Sequence, residues 1–406
     1  MAQSTFAYRV KTRDGRTMTG NLVADGAGAV ATTLQKQGLI PLDIKKESKA
    51  SIKMEINIKP KKVKLKDLAI FSRQFATMIS GGLTLLRALT ILSEQTENKL
   101  LAETVKHVSD DVEGGASLSG AMAKYPKAFN QLYVSLVRAG ETGGQLETVL
   151  TRVADTYEAE HKLRQKVKSA MTYPVVVAFI AVALLIVMLI FIVPTFAAMF
   201  DDLGGKLPLP TQILVTMSEN SRILVPLLIA FVVAARIIYK RLRKSNESAA
   251  LLFDKVKLKI PVFGELFRKI AMSRFTRTLS LLLRAGVPVL QSLEITGKAT
   301  GNEVLNRASL DIKEAVRQGE SMASPLENHS IFPPMVIQMI AVGEDTGALD
   351  SMLDKIADFY DQEVESMTES LTSLIEPIMI AVLGGIVGGM VIALYMPMFK
   401  IFELIK

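Results

Sequence analysis

The chain of 406 residues has no cysteine, no tryptophan and only three histidines. Without thiols there are no disulfides and no thiolate metal sites. His107, His161 and His329 lie far apart in sequence, so no zinc or iron centre is expected. Aromatic residues make up 6%, and neither stacking aromatics nor a nucleic-acid motif accompanies the basic stretches, which argues against nucleic acid as a partner. The nucleotide-loop pattern Gly-x-x-x-x-Gly-Lys-Ser/Thr is absent. Its closest approach, Gly297-Lys298-Ala299-Thr300, lacks both the upstream glycine and the hydroxyl beside the lysine. No Ser–His–Asp or paired-carboxylate constellation is visible. The reading is of a non-enzyme with no catalytic residues, no cofactor and no metal. The first residues carry no apolar signal-peptide stretch, so the N-terminal block is expected to begin in the cytoplasm.

What the chain has in quantity is apolar sequence, 49% by composition. Pro174–Phe200 is uncharged over 27 residues and Pro377–Phe399 over 23, each enough to cross a bilayer. Ile223–Ala235 gives only 13 uncharged residues, but extended to Tyr239, with Arg236 reaching toward the headgroups, it crosses too. Lys162, Arg164, Lys166 and Lys168 precede the first span, Lys240-Arg241-Leu242-Arg243-Lys244 follows the second, and the loop between them holds only Lys206. The positive-inside rule then places the N-terminus and the block after residue 240 inside and the 201–221 loop outside. The acids before the third span (Glu363, Glu365, Glu369) are a local exception. The formal charge of +8 concentrates in this second cluster and in 45–66. Anionic lipid at the cytoplasmic face accounts for both clusters, and for 45–66 a solvated linker serves equally well.

The chain repeats itself with an offset of about 203 residues. Tyr173-Pro174 and Pro194-Thr195-Phe196 in one copy answer Glu376-Pro377 and Pro397-Met398-Phe399 in the other, with the prolines 20 residues apart in both. Upstream, Gly140-Glu141-Thr142-Gly143-Gly144-Gln145-Leu146-Glu147 answers Gly343-Glu344-Asp345-Thr346-Gly347-Ala348-Leu349-Asp350. Arg73-Gln74-Phe75 matches Arg277-Thr278-Leu279, and Gly115-Ala116-Ser117 matches Gly319-Glu320-Ser321. Two copies of a soluble unit followed by a span can both start inside only if one extra helix returns the chain between them. The repeats are therefore parallel, unlike the inverted repeats of many transporters.

The fold class is an all-α polytopic membrane protein with a small N-terminal α+β module, two repeated cytoplasmic helical bundles and three transmembrane helices. Residues 1–45 read as a hairpin (Phe6–Val10 and Met18–Val23 around a turn at Arg13–Arg16), a helix from Ala27 to Gly38 and a last strand to Ile44. A basic linker (46–63) leads to the first bundle (64–172), transmembrane helix 1 (173–200), a periplasmic loop (201–221) and transmembrane helix 2 (222–239). A cytoplasmic connector (240–266), the second bundle (267–373), transmembrane helix 3 (374–399) and a periplasmic tail (400–406) complete the chain. Phe71, Phe75, Met78 and Ile79 share one helical face, and Leu146, Val149, Leu150, Val153 and Tyr157 another.

The Gly-Glu motif superficially suggests an anion loop, but no lysine follows and a glutamate sits inside the turn. A helix–turn–helix corner is preferred, with Gly140 and Gly343 capping one helix and Thr142 with Gln145 forming a capping box for the next. A partner or cation contact by the acid stays open. The candidate partner-interface residues are Arg73, Gly140, Glu141, Gly144, Arg277, Gly343, Glu344 and Gly347. In the membrane, Gly384, Gly385, Gly388 and Gly389 give overlapping Gly-x-x-x-Gly spacings for close packing, within the monomer or between subunits. Pro174, Pro194, Glu376, Pro377 and Pro397 join them as membrane-packing candidates, the prolines before the spans at helix starts or bends and Glu376 in an interfacial or inter-helix hydrogen bond.

With these strings in place, the chain resembles the type II secretion F-domain family of inner-membrane platform proteins, the PilC/GspF type. Phe71-Ser72-Arg73-Gln74-Phe75-Ala76-Thr77-Met78, Leu136-Val137-Arg138-Ala139-Gly140-Glu141, Ile375-Glu376-Pro377 and Met396-Pro397-Met398-Phe399 carry the resemblance. It implies six helices per bundle, a homodimer or higher homo-oligomer, a hexameric assembly or retraction ATPase as cytoplasmic partner, and pilins or pseudopilins in the membrane. It also implies a bacterial inner-membrane location, with the N-terminus cytoplasmic and the C-terminus periplasmic. Val193–Phe200 and Lys206–Thr211 look more like the type IV pilus branch than the secretion branch. The rivals are a type II secretion platform and, from another class, a small-solute transporter.

Overall fold

The computed structural model describes residues 4–11, 17–46, 62–201 and 208–404. The expected turn at Arg13–Arg16, most of the basic linker, Lys206 and the end of the C-terminal tail lie outside the described residues. The chain divides into two compact units, Met1–Lys59 and Pro60–Lys406.

In the first unit, β1 (Ser4–Lys11) pairs antiparallel with both β2 (Thr17–Ala24) and β3 (Ile40–Lys46), giving the order β2-β1-β3. The period-2 alternation of β1 puts Phe6 and Val10 on one face. There α1 (Ala27–Lys36) covers them with Val30 and Leu34, one helical turn apart and fully buried. Gly38, at φ 74°, turns the chain out of α1 in the left-handed region.

In the second unit the first bundle comprises α2 (Leu65–Ser80), α3 (Leu85–Gln95), α4 (Lys99–Glu113), α5 (Leu118–Ala123), α6 (Gln131–Thr142) and α7 (Leu146–Val187). A π-helical turn at Met188–Ile192 leads to α8 (Val193–Asp201), then α9 (Leu209–Ser245) and α10 (Glu247–Lys259). The second bundle repeats the six-helix order as α11 (Phe263–Arg284), α12 (Val289–Thr300), α13 (Glu303–Arg317), α14 (Ala323–Leu326), α15 (Pro334–Asp345) and α16 (Leu349–Leu404). Asn98 and Asn302 begin α4 and α13 in the same way, each side chain accepting two amide N–H bonds of the new helix. The repeat offset falls from 204 to 203 between Ser117/Ser321 and Phe129/Phe332, so the one-residue difference is absorbed in the loop before α6 and α15.

The apolar stripes form the cores. Phe71, Phe75, Leu89, Leu92, Leu136, Val137, Val149, Leu150 and Val153 are buried together in the first bundle, with Met78, Ile79 and Leu146 at its margin. Phe275, Leu279, Leu293, Leu305, Ile312, Ile340, Leu353 and Ile356 build the second. The two bundles are not separate bodies. Leu281, Leu282, Val287 and Ile295 of the second bundle are buried in the first bundle's core. Lower down, Leu163, Val167 and Met171 of α7 pack on Leu266 of α11 and on Val364 and Leu371 of α16.

Three helices are long and apolar enough to cross a membrane, with candidate spans within Leu146–Met199, Ile223–Arg243 and Leu349–Met396. Two expectations are corrected. Residues 209–221 are the first turns of α9 rather than a loop, since Pro208 stands at the N-cap and Pro210 in the first turn, where a missing N–H costs nothing, and no further proline or glycine follows before Pro226. Of the two placements expected for Pro174 and Pro377, a helix start or a bend, the start is excluded, since Pro174 stands inside α7 and Pro377 inside α16. An interior proline costs one hydrogen bond, and a span tolerates it when neighbouring groups satisfy the freed backbone. At 42 residues α7 extends about 63 Å, and at 56 residues α16 extends about 84 Å, so each is one helix from bundle to membrane.

Leu282 is fully buried and joins the two bundles. Leu282→Ala is expected to cost about 2–5 kcal/mol and to turn a single thermal transition of the purified full chain into two. One unshifted transition would show that the bundles are held together elsewhere.

Candidate functional site

The same arginine clamps the first helix of each bundle to its membrane-going helix. Arg73 on α2 donates from Nε and Nη2 to the two Glu158 oxygens at 2.8 Å each, and from Nη2 to Asp155 Oδ1 at 2.5 Å. Arg277 on α11 donates from Nη2 to Asp358 at 2.8 Å and Asp361 at 2.6 Å, and Ser273 donates to the same Asp361 carboxylate. The acids at 155/158 and 358/361 are one turn apart, on a single face of α7 and of α16. Hydrogen bonding from Arg73 holds the Glu158 carboxyl below its ordinary value, and the two acids raise Arg73. For Arg277, burial pulls the pKa down, but the two aspartates outweigh it and the net shift is upward. The arginines proposed as partner contacts therefore already serve inside the bundles.

The Gly-Glu corners are built differently from the expected caps. Gly140 and Gly343 lie within α6 and α15, where a Cβ would come within 3.0 Å of Val149 Cβ and of Leu349 Cα, respectively. They are close-approach glycines of a helical hairpin. The left-handed residues are Gly144 (φ 65°) and Gly347 (φ 68°). Thr142 donates back to the Arg138 carbonyl, and Gln145 makes no side-chain cap, so no capping box forms. The glutamates turn inward to another helix start. Glu141 accepts the Leu118 and Ser119 amide N–H bonds at 2.5 and 3.0 Å. Glu344 accepts the Met322 amide at 2.9 Å and the Ser321 hydroxyl at 2.6 Å. A carboxylate at orphan amides of a helix N-terminus is the favourable sign of charge. The Gly-x-Ser strings at 115–117 and 319–321 repeat together with the Gly-Glu strings, a signal that could have linked the two. Among the described residues no group of three metal-ligating side chains converges.

Sequence reading missed the part played by α9. Val193 N–H bonds the Met188 carbonyl five residues back, and Pro194 has no N–H, so the Leu189 carbonyl has no helical donor. The buried Ser218 hydroxyl of α9 donates to it at 2.5 Å. In the other repeat Pro397 withholds the N–H that the Ala393 carbonyl would receive, and the buried Thr211 hydroxyl donates there, also at 2.5 Å. Thr211 and Ser218 are seven residues apart, on one face of α9. Leu189, Val193 and Leu394 form the apolar cluster around them, with Leu214 and Val215 against it. The return helix thus bonds both repeats at their matching prolines.

A family model described as "Type II secretion system (T2SS), protein F" matches twice, at residues 71–194 and 275–397. A second, "Type II secretion system protein F, N-terminal domain", matches residues 1–45. The type IV pilus assembly protein PilC of Thermus thermophilus is 44% identical over 98% of this chain and 98% of its own length. The chain belongs to the type II secretion system protein F family. PilC of Pseudomonas aeruginosa is 38% identical over 92% of this chain and 98% of its own length. The type II secretion system protein F of Aeromonas hydrophila is 35% identical over 84% and 88%.

Both protein F matches begin in the first bundle helix and end at Pro194 and at Pro397, the two prolines that α9 serves. Among the described residues of this protein F chain, Glu376 and the four membrane glycines are unpartnered. Glu376 is exposed and makes no hydrogen bond or ion pair among the described residues, so of the expected interfacial or inter-helix bond the inter-helix one is not formed. Nothing lies within 4 Å of where a Cβ would stand on Gly384, Gly385, Gly388 or Gly389, so these glycines are not packing sites within the monomer.

Ser218→Ala is expected to destabilise the detergent-solubilised chain by about 0.6–1.7 kcal/mol. In a Pro194→Ala background, where an N–H is restored, the loss should shrink; equal losses would remove the link between proline and hydroxyl. The Glu158 pKa is depressed from 4.5 in the folded chain. Its contribution is therefore complete above about pH 4.5 and fades as pH falls through the lower folded value. Arg73→Gln should flatten this acid limb of a stability-versus-pH curve, and an unchanged limb would assign it to other groups.

Proposed function

We propose that this chain is the inner-membrane platform of type IV pilus biogenesis, coupling a cytoplasmic hexameric ATPase to the insertion or extraction of pilins. Membership of the protein F family gives it a part in a pilus or secretion system. The pilus reading is supported by the higher identity of the relatives named for type IV pilus assembly, 44% and 38% against 35% for the secretion relative. The chain acts mechanically and performs no chemistry, so ATP hydrolysis belongs to the partner. It works as a homodimer or higher homo-oligomer, with its N-terminus and both bundles in the cytoplasm and its C-terminus in the periplasm.

The observation that carries this reading is continuity. α7 and α16 run from the arginine-clamped bundle into the membrane without a loop, so displacement of the bundles is transmitted to the spans. A solute transporter is disfavoured because the irregular turn at 188–192 is closed by Ser218 instead of opening to a site.

Three glycines inserted after Tyr173 would leave the bundle contacts intact and uncouple α7 from its span. The expected outcome is a variant that inserts and accumulates normally but assembles no pili, counted by electron microscopy of sheared cells. Wild-type piliation with normal secretion would overturn the mechanical coupling, and wild-type piliation with lost secretion would favour the secretion branch.

A further inference from the structure

Where α7 approaches the membrane, a groove of about 560 Å³ opens between it and α11. Its wall is a helical stripe on α7. Arg164 and Lys168 stand one turn apart, Val167 and Met171 follow on the same face, and Val175 lies just inside the uncharged span. Ile270 and Arg274 of α11 form the opposite side. From Arg164 to Val175 the helix rises about 16 Å, so one end of the groove is basic and lies before the span while the other is apolar and enters it.

Charge at the basic end exceeds what the chain itself neutralises. Glu160 is the acid in the groove, and it pairs with Arg274 at 3.0 Å and Arg164 at 3.9 Å. Lys168 has no ion-pair partner among the described residues, and the Arg274 Nε is buried without a hydrogen-bond acceptor. Three cations against one carboxylate, beside an apolar trough that runs into the uncharged span, match one molecule bearing a phosphate and an acyl chain.

We propose that this groove holds an anionic phospholipid, its phosphate at Arg164, Lys168 and Arg274 and an acyl chain along Val167, Met171 and Val175. The lipid would fill the gap between α7 and α11 just above the bilayer surface and tie the bundle contact to the leaflet. The assignment relies on α7 crossing the membrane but not on the identity of the filament.

The test uses the purified full chain and native mass spectrometry, titrating phosphatidylglycerol against phosphatidylethanolamine of the same acyl chains. The wild type is expected to retain phosphatidylglycerol preferentially. Arg164→Gln with Lys168→Gln should weaken that retention about 10- to 30-fold. Val175→Trp, at an exposed position that lines the trough, should weaken it with the charges intact. Arg87→Gln with Lys106→Gln, exposed on the first bundle and outside the groove, should change it by less than about twofold. Equal retention of the two lipids, or an equal loss in the control pair, would overturn the site. So would a photo-crosslinker at Val167 that captures a polypeptide in cells in place of lipid. The readout is lipid retention, so it stands or falls apart from piliation.

Discussion

A backbone inside a bilayer has no water to bond, so every carbonyl that a helix leaves open must be met by the protein. This constraint shapes both repeats. Each sends one helix from a soluble bundle through the membrane surface, and each carries prolines that interrupt the ladder on the way. Near the far end, Pro194 and Pro397 strand the carbonyls of Leu189 and Ala393, and α9 returns two short hydroxyls, Ser218 and Thr211, to exactly those two oxygens. The return helix is therefore more than a topological necessity. It is the donor strip that lets two broken helices stay in the membrane side by side.

On the other side of the bilayer surface the repeat is used unequally. Both bundles clamp their first helix with an arginine on two acids, and both turn a glutamate to the start of a neighbouring short helix. Between the bundles, however, the symmetry ends. Val287 is buried in the first bundle's core, while its repeat counterpart Leu83 is 37% exposed. Arg274 pairs with Glu160, while Ile70 stands in the equivalent place and is exposed. One contact joins two copies of the same module face to unlike face, and the result is a single body attached to three spans.

Much of this was legible in the sequence. Apolar periodicity located the core faces of α2, α6 and α7, and uncharged runs located the spans, because both signals come from burial along one helix. The six-helix order came with the family resemblance. What the sequence hid depends on contacts between distant segments. Gly140 reads as a cap but is a close-approach residue, visible only once Val149 lies against it. Glu141 reads as part of its own turn, while its partners are amides some 22 residues away. Thr211 and Ser218 look like ordinary loop residues before a short span, and their bonds to helices on either side have no sequence pattern. The loop expected at 201–221, before the uncharged run that starts at Ile223, is helical from Leu209, and Thr211 and Ser218 on one face of it meet the carbonyls that the two prolines leave open.

The account rests on two like modules on one side of the membrane, each continuous with its own span. The chain has no native cysteine, so single substitutions report cleanly. Glu113→Cys and Arg317→Cys, at equivalent exposed positions of the two bundles, and Gln212→Cys, exposed at the start of α9, mark the two faces. With a membrane-impermeant maleimide, Gln212→Cys should label in intact spheroplasts, and Glu113→Cys and Arg317→Cys only in inverted vesicles. If Glu113→Cys and Arg317→Cys label from opposite sides, the two bundles cannot form one body and the account fails.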